Sequence, residues 1–151
     1  MAPIPIIVCG RRAEIAKFVR ESLAPEYDVV HVITSPEEGS SDIPILLRGE
    51  KLPESDNPGS RNYGSTPLAV ATGGGYDDEA FNQMRDACLK DDKAKVVPWL
   101  RPDLSQISSM PDLSDAEAYG RKTADRLRIV LNDLDLKGES KVEWKKGAVI
   151  F

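Results

Sequence analysis

Two glycine-containing turns hold the residues of this sequence whose types and spacing could bind a ligand. Each turn follows a short apolar run. The first carries two arginines, and the second is a triple glycine. Glycine lets backbone amides approach a ligand closely, and guanidinium groups offer planar donors that suit an anion. We therefore predict a site for an anionic small molecule. Its residues are Gly10, Arg11, Arg12, Gly73, Gly74 and Gly75.

A nucleotide is one candidate for this ligand. The dinucleotide-binding fingerprint has three glycines in its first turn and an acid about 20 residues later. Here the first turn has one glycine, and the later position reads Thr34-Ser35, with no acid before Glu37. Arginines without that acid favour a 2′-phosphorylated cofactor, so NADP or another nucleotide is a candidate cofactor. The competing interpretation is a pair of tight strand–helix connections, with the arginines in solvent and Asp77 capping the second helix.

Few other side chains suggest chemistry, and we assign no catalytic residue and no metal ligand. The single histidine, His31, lies among valines, which predicts a core or edge imidazole with one hydrogen bond. Cys9 ends an apolar run beside the arginines, where the thiol pKa would be lowered, although a buried structural role is favoured. Cys88 is predicted to be inert on a helix. Arg101 and Asp103 either line the same site or pair with each other.

The elements that must position these turns begin with a strand–helix–strand unit. Residues 4–9 form a continuous β-branched apolar run, which is typical of a strand covered on both faces. Residues 13–23 have an apolar stripe at the helical period, and residues 28–34 read as a second buried strand. Such a βαβ unit has a right-handed crossover almost without exception.

The rest of the chain is predicted to continue this pattern less regularly. After a loop at residues 35–39, Asp42 would cap a short helix that ends at Gly49. A long irregular loop then covers residues 51–67, which are rich in proline, glycine, serine and asparagine. A loop of this length is either a functional lid or a mobile connection.

Two further strands and two further helices follow that loop. Residues 68–72 and 95–100 are the strands, and we expect the second of them to be short because Pro98 removes a ladder donor. Between them Asp77 would cap a helix, and after a loop at residues 101–111 a capping box of Ser114 and Glu117 would open the last helix. We expect that helix to end at Gly138. The tail forms either a hairpin around residues 145–147 or one edge strand.

These elements predict an α/β fold, a three-layer Rossmann-like sandwich. Its small, mostly parallel sheet has four or five strands in 2-1-3-4 order, and residues 1–151 form one domain. In this order the turns after the first and third strands meet at the carboxyl edge of the sheet, where open α/β sheets bind ligands.

Composition narrows the function classes. The net charge of −5 argues against a nucleic-acid partner, because such a protein needs a basic surface for phosphates. No apolar run approaches the length of a membrane helix, and two cysteines predict no disulfide framework. We expect a cytoplasmic protein without a membrane partner.

Two hypotheses for the function remain open. The first is a non-catalytic or weakly catalytic domain that binds a nucleotide or another anionic small molecule at the carboxyl edge of the sheet. The second is a protein-interaction or dimerisation module without a small-molecule ligand. The apolar tail, residues 148–151, would form an exposed strand edge that needs covering, and this favours a homodimer.

Overall fold

The computed structural model describes residues 2–138, 141–145 and 147–151. Within these residues five strands form one sheet in the order β2-β1-β3-β4-β5, and every neighbouring pair is parallel. This confirms the predicted α/β class and its 2-1-3-4 order, and of the four or five strands predicted, five are present. The strands are β1 (Ile4–Cys9), β2 (Tyr27–Ile33), β3 (Val70–Thr72), β4 (Trp99–Arg101) and β5 (Val149–Ile150).

Helices cover both faces of this sheet. Alternate residues of β1 point to opposite faces: Ile6 and Val8 join one apolar core, whereas Ile7 and Cys9 join the other. The first core packs against α1 and α4, and the second packs against α2 and α3, so the fold has the three layers that were predicted. The helices are α1 (Ala13–Leu23), α2 (Pro36–Leu47), α3 (Asp78–Leu89) and α4 (Ala116–Asp133), with short 3-10 helices at Leu104–Ser109 and Val142–Lys145.

Helix α2 begins earlier than the sequence predicted. Residues 35–39 were expected to form a loop before a cap at Asp42, but Ser35 is the N-cap and accepts a hydrogen bond from the Glu38 amide at 3.2 Å. Pro36 occupies the first turn, where its missing N–H costs no hydrogen bond. The prediction was wrong because a serine–proline pair is typical of both turns and helix starts.

Helix α4 differs from its prediction at both ends. Asp115, not Ser114, is the N-cap, and its carboxylate accepts from the Ala118 amide at 3.1 Å. Both residue types cap helices well, so neighbouring candidates compete. The helix ends at Asp133 because the next residue is extended, and Gly138 therefore does not terminate it.

The predicted strands of the second half are longer than the observed ones. Strand β4 begins at Trp99 rather than at residue 95, because Pro98 has no N–H for a strand ladder. The loop predicted at residues 101–111 contains the 3-10 helix Leu104–Ser109. The hairpin alternative for the tail is wrong, since β5 pairs in parallel with β4. Lys146, at the centre of that hairpin, lies outside the described residues.

The long segment at residues 51–67 forms no helix or strand, but it lies along the outer edge of β2. The amides of Ser60 and Arg61 each donate to a β2 carbonyl at 2.9 Å. The Asn57 side chain pairs with both backbone groups of Val32, at 2.9 and 2.8 Å. The segment therefore satisfies the polar groups that an edge strand would otherwise leave open.

Gly59 allows this close approach. A Cβ atom at this position would lie 2.6 Å from the backbone nitrogen of His31 and from the carbonyl group of Val30. Real Cβ atoms do not approach backbone that closely, so any other residue would push the segment away from β2. We call residues 57–61 the edge segment.

Candidate functional site

A cavity of about 80 Å³ lies at the carboxyl ends of β1 and β3. Gly10 and Gly73 follow these two neighbouring strands, and together with Gly74 they line the cavity. Helices α1 and α4 and the 3-10 helix Leu104–Ser109 contribute the other walls, which are mainly apolar. The charged side chains among the described lining residues are Asp103 and Arg126.

The glycine amides were expected to be free for a ligand, and two of them are not. The Gly10 amide donates to the Ile33 carbonyl at 2.8 Å, and the Gly73 amide donates to the Cys9 carbonyl at 2.8 Å. These bonds extend the hydrogen bonding of the sheet past the ends of its strands. The two amides therefore hold the turns in place.

Gly10 and Gly74 leave space in the cavity that the fold itself does not require. A Cβ atom on Gly10 would lie 3.9 Å from the Cβ of Ala16, and one on Gly74 would lie 3.5 Å from a Leu104 methyl group. Both distances are ordinary contacts, and neither glycine has the left-handed backbone that favours this residue. An alanine at either position would fit the fold but reduce the cavity.

Arg11 packs beside the cavity rather than on its wall. Its Nε donates to the Gly75 carbonyl at 3.1 Å, and its guanidinium lies 4.7 Å from the centre of the Tyr76 ring. A Cβ on Gly75 would approach Arg11 Cγ to 2.6 Å. Gly75 therefore makes room for Arg11, and the pair joins the first turn to the start of α3.

Arg12 also has protein partners. Its Nη1 donates to the Leu113 carbonyl at 2.6 Å, and its Nη2 forms an ion pair with Glu14. Neither Arg12 nor Arg11 is among the residues that line the cavity. Of the six predicted site residues, the structure thus brings three glycines to one cavity and places the two arginines and Gly75 next to it.

The cation on the cavity wall is Arg126 of α4, which sequence reasoning missed. Its Nη2 donates to the Phe151 carbonyl oxygen at 2.9 Å and to the Asp103 carbonyl at 3.5 Å, and its Nη1 donates to the Met110 sulfur at 3.5 Å. The signal was present in the sequence. Residues 119, 123 and 126 share one helical face, and all three line the cavity.

Arg101 and Asp103 do not pair with each other. Arg101 forms an ion pair with Asp78 at 2.6 Å and donates to the Tyr76 carbonyl at 3.0 Å. Asp103 accepts from the hydroxyl and the amide of Ser105, which lowers the pKa of its carboxyl group. Asp103 alone of the two lines this cavity.

Both cysteines are buried thiols. Burial raises the pKa of Cys9 far above its ordinary value, and the nearby Cys88 and Glu38 raise it further. Burial also raises the pKa of Cys88 to about 12. The alternative that the arginines activate Cys9 as a thiolate is therefore wrong, and the structural role that was favoured is supported.

His31 has more polar partners than the single one that was predicted. The residue is 3% exposed; its Nδ1 lies 2.7 Å from the Tyr63 hydroxyl, and its Nε2 lies 3.1 Å from an oxygen of Asp42. Glu38 brings a second carboxylate to this group, with the three ligand-type atoms of His31, Glu38 and Asp42 within 4.8 Å of one another. The sequence signal was the i, i+4 spacing of Glu38 and Asp42, hidden because the first turn of α2 was predicted as a loop.

In the part of the chain that the structure describes, no helix is both long and apolar enough to cross a membrane.

The fold and the cavity define a Rossmann-like α/β domain with space at the carboxyl edge of its sheet. No family model matches the chain, and no solved structure matches it.

One curated protein is similar over most of its length. The chain is 36% identical over 137 residues to Kojic acid related protein 6 of Aspergillus oryzae, and the alignment covers 91% of this chain and 81% of that protein. The chain therefore belongs to the same family as Kojic acid related protein 6.

Proposed function

We propose that this chain is a non-catalytic or weakly catalytic domain that binds a small organic anion at the carboxyl edge of its sheet. The observation that supports this most is the cavity beside Gly10 and Gly74. At both positions an alanine would fit the packing and the backbone conformation, so the fold alone does not explain why glycine occurs there. Ligands of open α/β sheets bind beyond the carboxyl ends of the strands, at the point where the strand order reverses. Strands β1 and β3 flank that point here.

The shape and the charge of the cavity favour a particular kind of ligand. Its volume of about 80 Å³ is smaller than the several hundred Å³ typical of drug-sized ligands, so a whole nucleotide does not fit. The mainly apolar wall suits a short apolar body, and Arg126 supplies donors for a carboxylate or a phosphate. The 3.5 Å contact of Arg126 Nη2 to the Asp103 carbonyl is at the long limit of an N–H···O hydrogen bond, so a ligand could replace it.

The lining residues also favour binding over catalysis. Asp103 is the one acidic side chain among the described lining residues, and its hydrogen bonds to Ser105 lower the pKa of its carboxyl group. A carboxyl group with a lowered pKa is a weak base at neutral pH, whereas general bases have a pKa near the working pH.

We also propose a cytoplasmic location, which fits the two free, buried cysteines.

A thermal-shift screen followed by calorimetry tests the proposal. The probes are hexanoate, benzoate, inorganic phosphate, NADP and kojic acid, the last because of the name of the relative. A ligand that binds only the folded state raises the melting temperature with its concentration. We expect saturable stabilisation by a small carboxylate and a weaker response to NADP.

Variants assign such binding to the cavity. Losing a charge-assisted hydrogen bond costs about 1.5–3 kcal/mol, so Arg126→Ala should weaken binding by about ten- to a hundredfold. Gly74→Ala adds one methyl group to the wall at ordinary contact distances and should also weaken binding. Arg121→Ala is the matched control, because this arginine is on the same helix, is 65% exposed and pairs with Glu117. Absence of saturable binding by any probe up to millimolar concentration would contradict the proposal.

A second candidate function, an interaction or dimerisation module, is favoured by one specific observation. Three apolar side chains near the mouth of the cavity are more than half exposed: Leu104 (56%), Ile107 (60%) and Ile150 (55%). Leu104 and Ile150 line the same shallow groove, and Ile150 belongs to the edge strand β5. Exposed apolar groups that cluster in this way are common at protein interfaces.

Light scattering over a wide concentration range tests this second function. A dimer mass that Ile150→Glu converts to a monomer mass would support the module. A monomer mass at all concentrations would contradict the homodimer. Ile129→Glu is the matched control, because Ile129 is 67% exposed and lies on α4.

A further inference from the structure

We infer that His31, Glu38 and Asp42 form a binding site for a divalent transition-metal cation between β2 and α2. Their ligand-type atoms lie within 4.8 Å of one another, and the His31 Nε2 and Asp42 oxygen are 3.1 Å apart. Tetrahedral Zn²⁺ with bonds of about 2.0–2.2 Å holds its ligand atoms roughly 3.3 Å apart. One pair therefore already has the spacing of two metal ligands, and rotation of the longer Glu38 side chain completes the set.

The charges of this cluster need a cation. Glu38 and Asp42 are four residues apart on α2, so their carboxylates share one face of the helix. Like charges at this spacing destabilise a helix. Within residues 2–138, 141–145 and 147–151, no lysine or arginine forms an ion pair with either carboxylate, and Asp42 contacts the His31 imidazole through a hydrogen bond. A divalent cation would neutralise both charges at once.

The surroundings of His31 hold its Nε2 toward the carboxylates. Tyr63 contacts Nδ1 at 2.7 Å, which fixes the ring in the way that an outer partner orients a metal-binding histidine. Asn57 is oriented by its backbone partners, so that its amide nitrogen faces Nε2 at 3.5 Å. In the metal-free protein Nε2–H donates to the Asp42 carboxylate, and Nδ1 accepts from the Tyr63 hydroxyl. A metal bound at Nε2 would displace the Nε2 proton, and the Tyr63 oxygen would then accept from Nδ1–H.

The donor set selects the class of metal. One imidazole and two carboxylates are borderline-to-hard ligands, which suit Zn²⁺ or Mn²⁺ better than a soft ion such as Cu(I). Three protein ligands leave a coordination position for water, as in open zinc sites. The side chain of Asp42 is 24% exposed, which gives the ion a path from solvent.

Titration of Zn²⁺ into the untagged, chelator-treated protein tests the site. The readouts are calorimetry, the visible spectrum with Co²⁺, and nitrogen NMR of the imidazole. Because the chain has a single histidine, its NMR signals belong to His31 without ambiguity. We expect one ion per chain and a shift of the Nε2 resonance on binding.

Variants decide whether these residues hold the metal. Glu38→Gln and Asp42→Asn keep the shape of each side chain but remove its charge, and each should weaken Zn²⁺ binding at least tenfold. Glu37→Gln removes an exposed charge from the same helical turn and should leave binding unchanged. If Asp42→Asn fails to fold, Glu38→Gln and the NMR shift still decide the question. The proposal is overturned if wild-type protein binds no Zn²⁺ saturably, if the Nε2 resonance does not move, or if binding survives in Glu38→Gln.

Discussion

The cavity at the ends of β1 and β3 has space and few charges, whereas the cluster around His31 has three ionisable groups and little space. From the sequence the two regions were expected the other way round, with charge at the glycine turns and an apolar setting for His31. In the structure Arg11 and Arg12 pack against neighbouring elements, and the cavity receives its cation from Arg126.

The difference shows how side chains far apart in the chain decide what a region can bind. Arg126 and Gly10 are separated by more than a hundred residues, yet they line one cavity. His31 is joined by Asn57 and Tyr63 from the irregular segment that follows α2. Local sequence therefore identifies the glycines, because their role depends on the turn in which they occur. It does not identify side chains such as Arg126 or Tyr63, which tertiary structure brings to each region from elsewhere in the chain.

The Cys9 side chain packs in the core between the sheet and helices α2 and α3, on the same face as the cluster around His31. Burial is the main cause of its raised pKa, and Cys88 and Glu38 add to it. A pKa raised from 9.0 to about 12, as for Cys88, lowers the thiolate fraction near neutral pH by about a thousandfold. We expect alkylation of Cys88 to be slower in native than in denatured protein by roughly two to three orders of magnitude, and that of Cys9 to be slower still. The measurement is mass spectrometry after iodoacetamide treatment at pH 8. Rapid native labelling at Cys9 would mean that the core between the sheet and helices α2 and α3 opens to solvent.

Gly59→Ala should damage the region around His31 strongly. The added methyl group would lie 2.6 Å from β2 backbone, so the edge segment must move away and lose its hydrogen bonds. Overpacking of this kind costs about 1–3 kcal/mol. Urea unfolding monitored by circular dichroism measures the loss of stability. An unchanged unfolding midpoint would show that the edge segment does not stabilise the fold.

Tyr63→Phe removes the hydroxyl that contacts His31 and leaves the ring in place. A typical intramolecular hydrogen bond contributes about 0.5–1.5 kcal/mol, and we expect a loss of stability in that range. The same urea measurement tests it, with Tyr119→Phe as a control on α4. A variant as stable as the wild type would mean that the Tyr63–His31 contact contributes nothing to the cluster.

Gly10→Ala should have the smallest effect on stability. Its Cβ would lie 3.9 Å from Ala16 and 4.0 Å from the Arg12 carbonyl oxygen, so we expect a change below about 0.5 kcal/mol. Gly59→Ala is the contrasting variant. A large loss of stability in Gly10→Ala would show that glycine is needed there for folding, which would remove the main support for the binding proposal.

Much of the fold was predictable from hydrophobic period and turn residues. The bounds of α1 were predicted correctly, and the strand order followed from the βαβ start and the continuous apolar strands. The prediction failed at α2, where Ser35-Pro36 fits a turn as well as a helix start. The start of β3 was also missed, because Leu68 and Ala69 hydrogen bond to β1 without belonging to the strand, and β4 begins only after Pro98.

The candidate sites were less predictable than the fold. The meeting of Gly10 with Gly73 and Gly74 follows from topology alone, and it was predicted. The direction of a long side chain depends on acceptors elsewhere in the chain. Arg12, for example, reaches the carbonyl of Leu113 in the segment before α4. No periodic pattern in the sequence encodes such a contact.

The edge segment has a consequence for how copies of this chain could polymerise. With β2 covered by residues 57–61, the described part of the sheet presents one open side, at β5. If two copies pair through β5, neither copy has a second open strand edge, because residues 57–61 cover the β2 edge of each sheet. Association through sheet edges would therefore terminate at a closed, two-fold pair and could not propagate into a fibre.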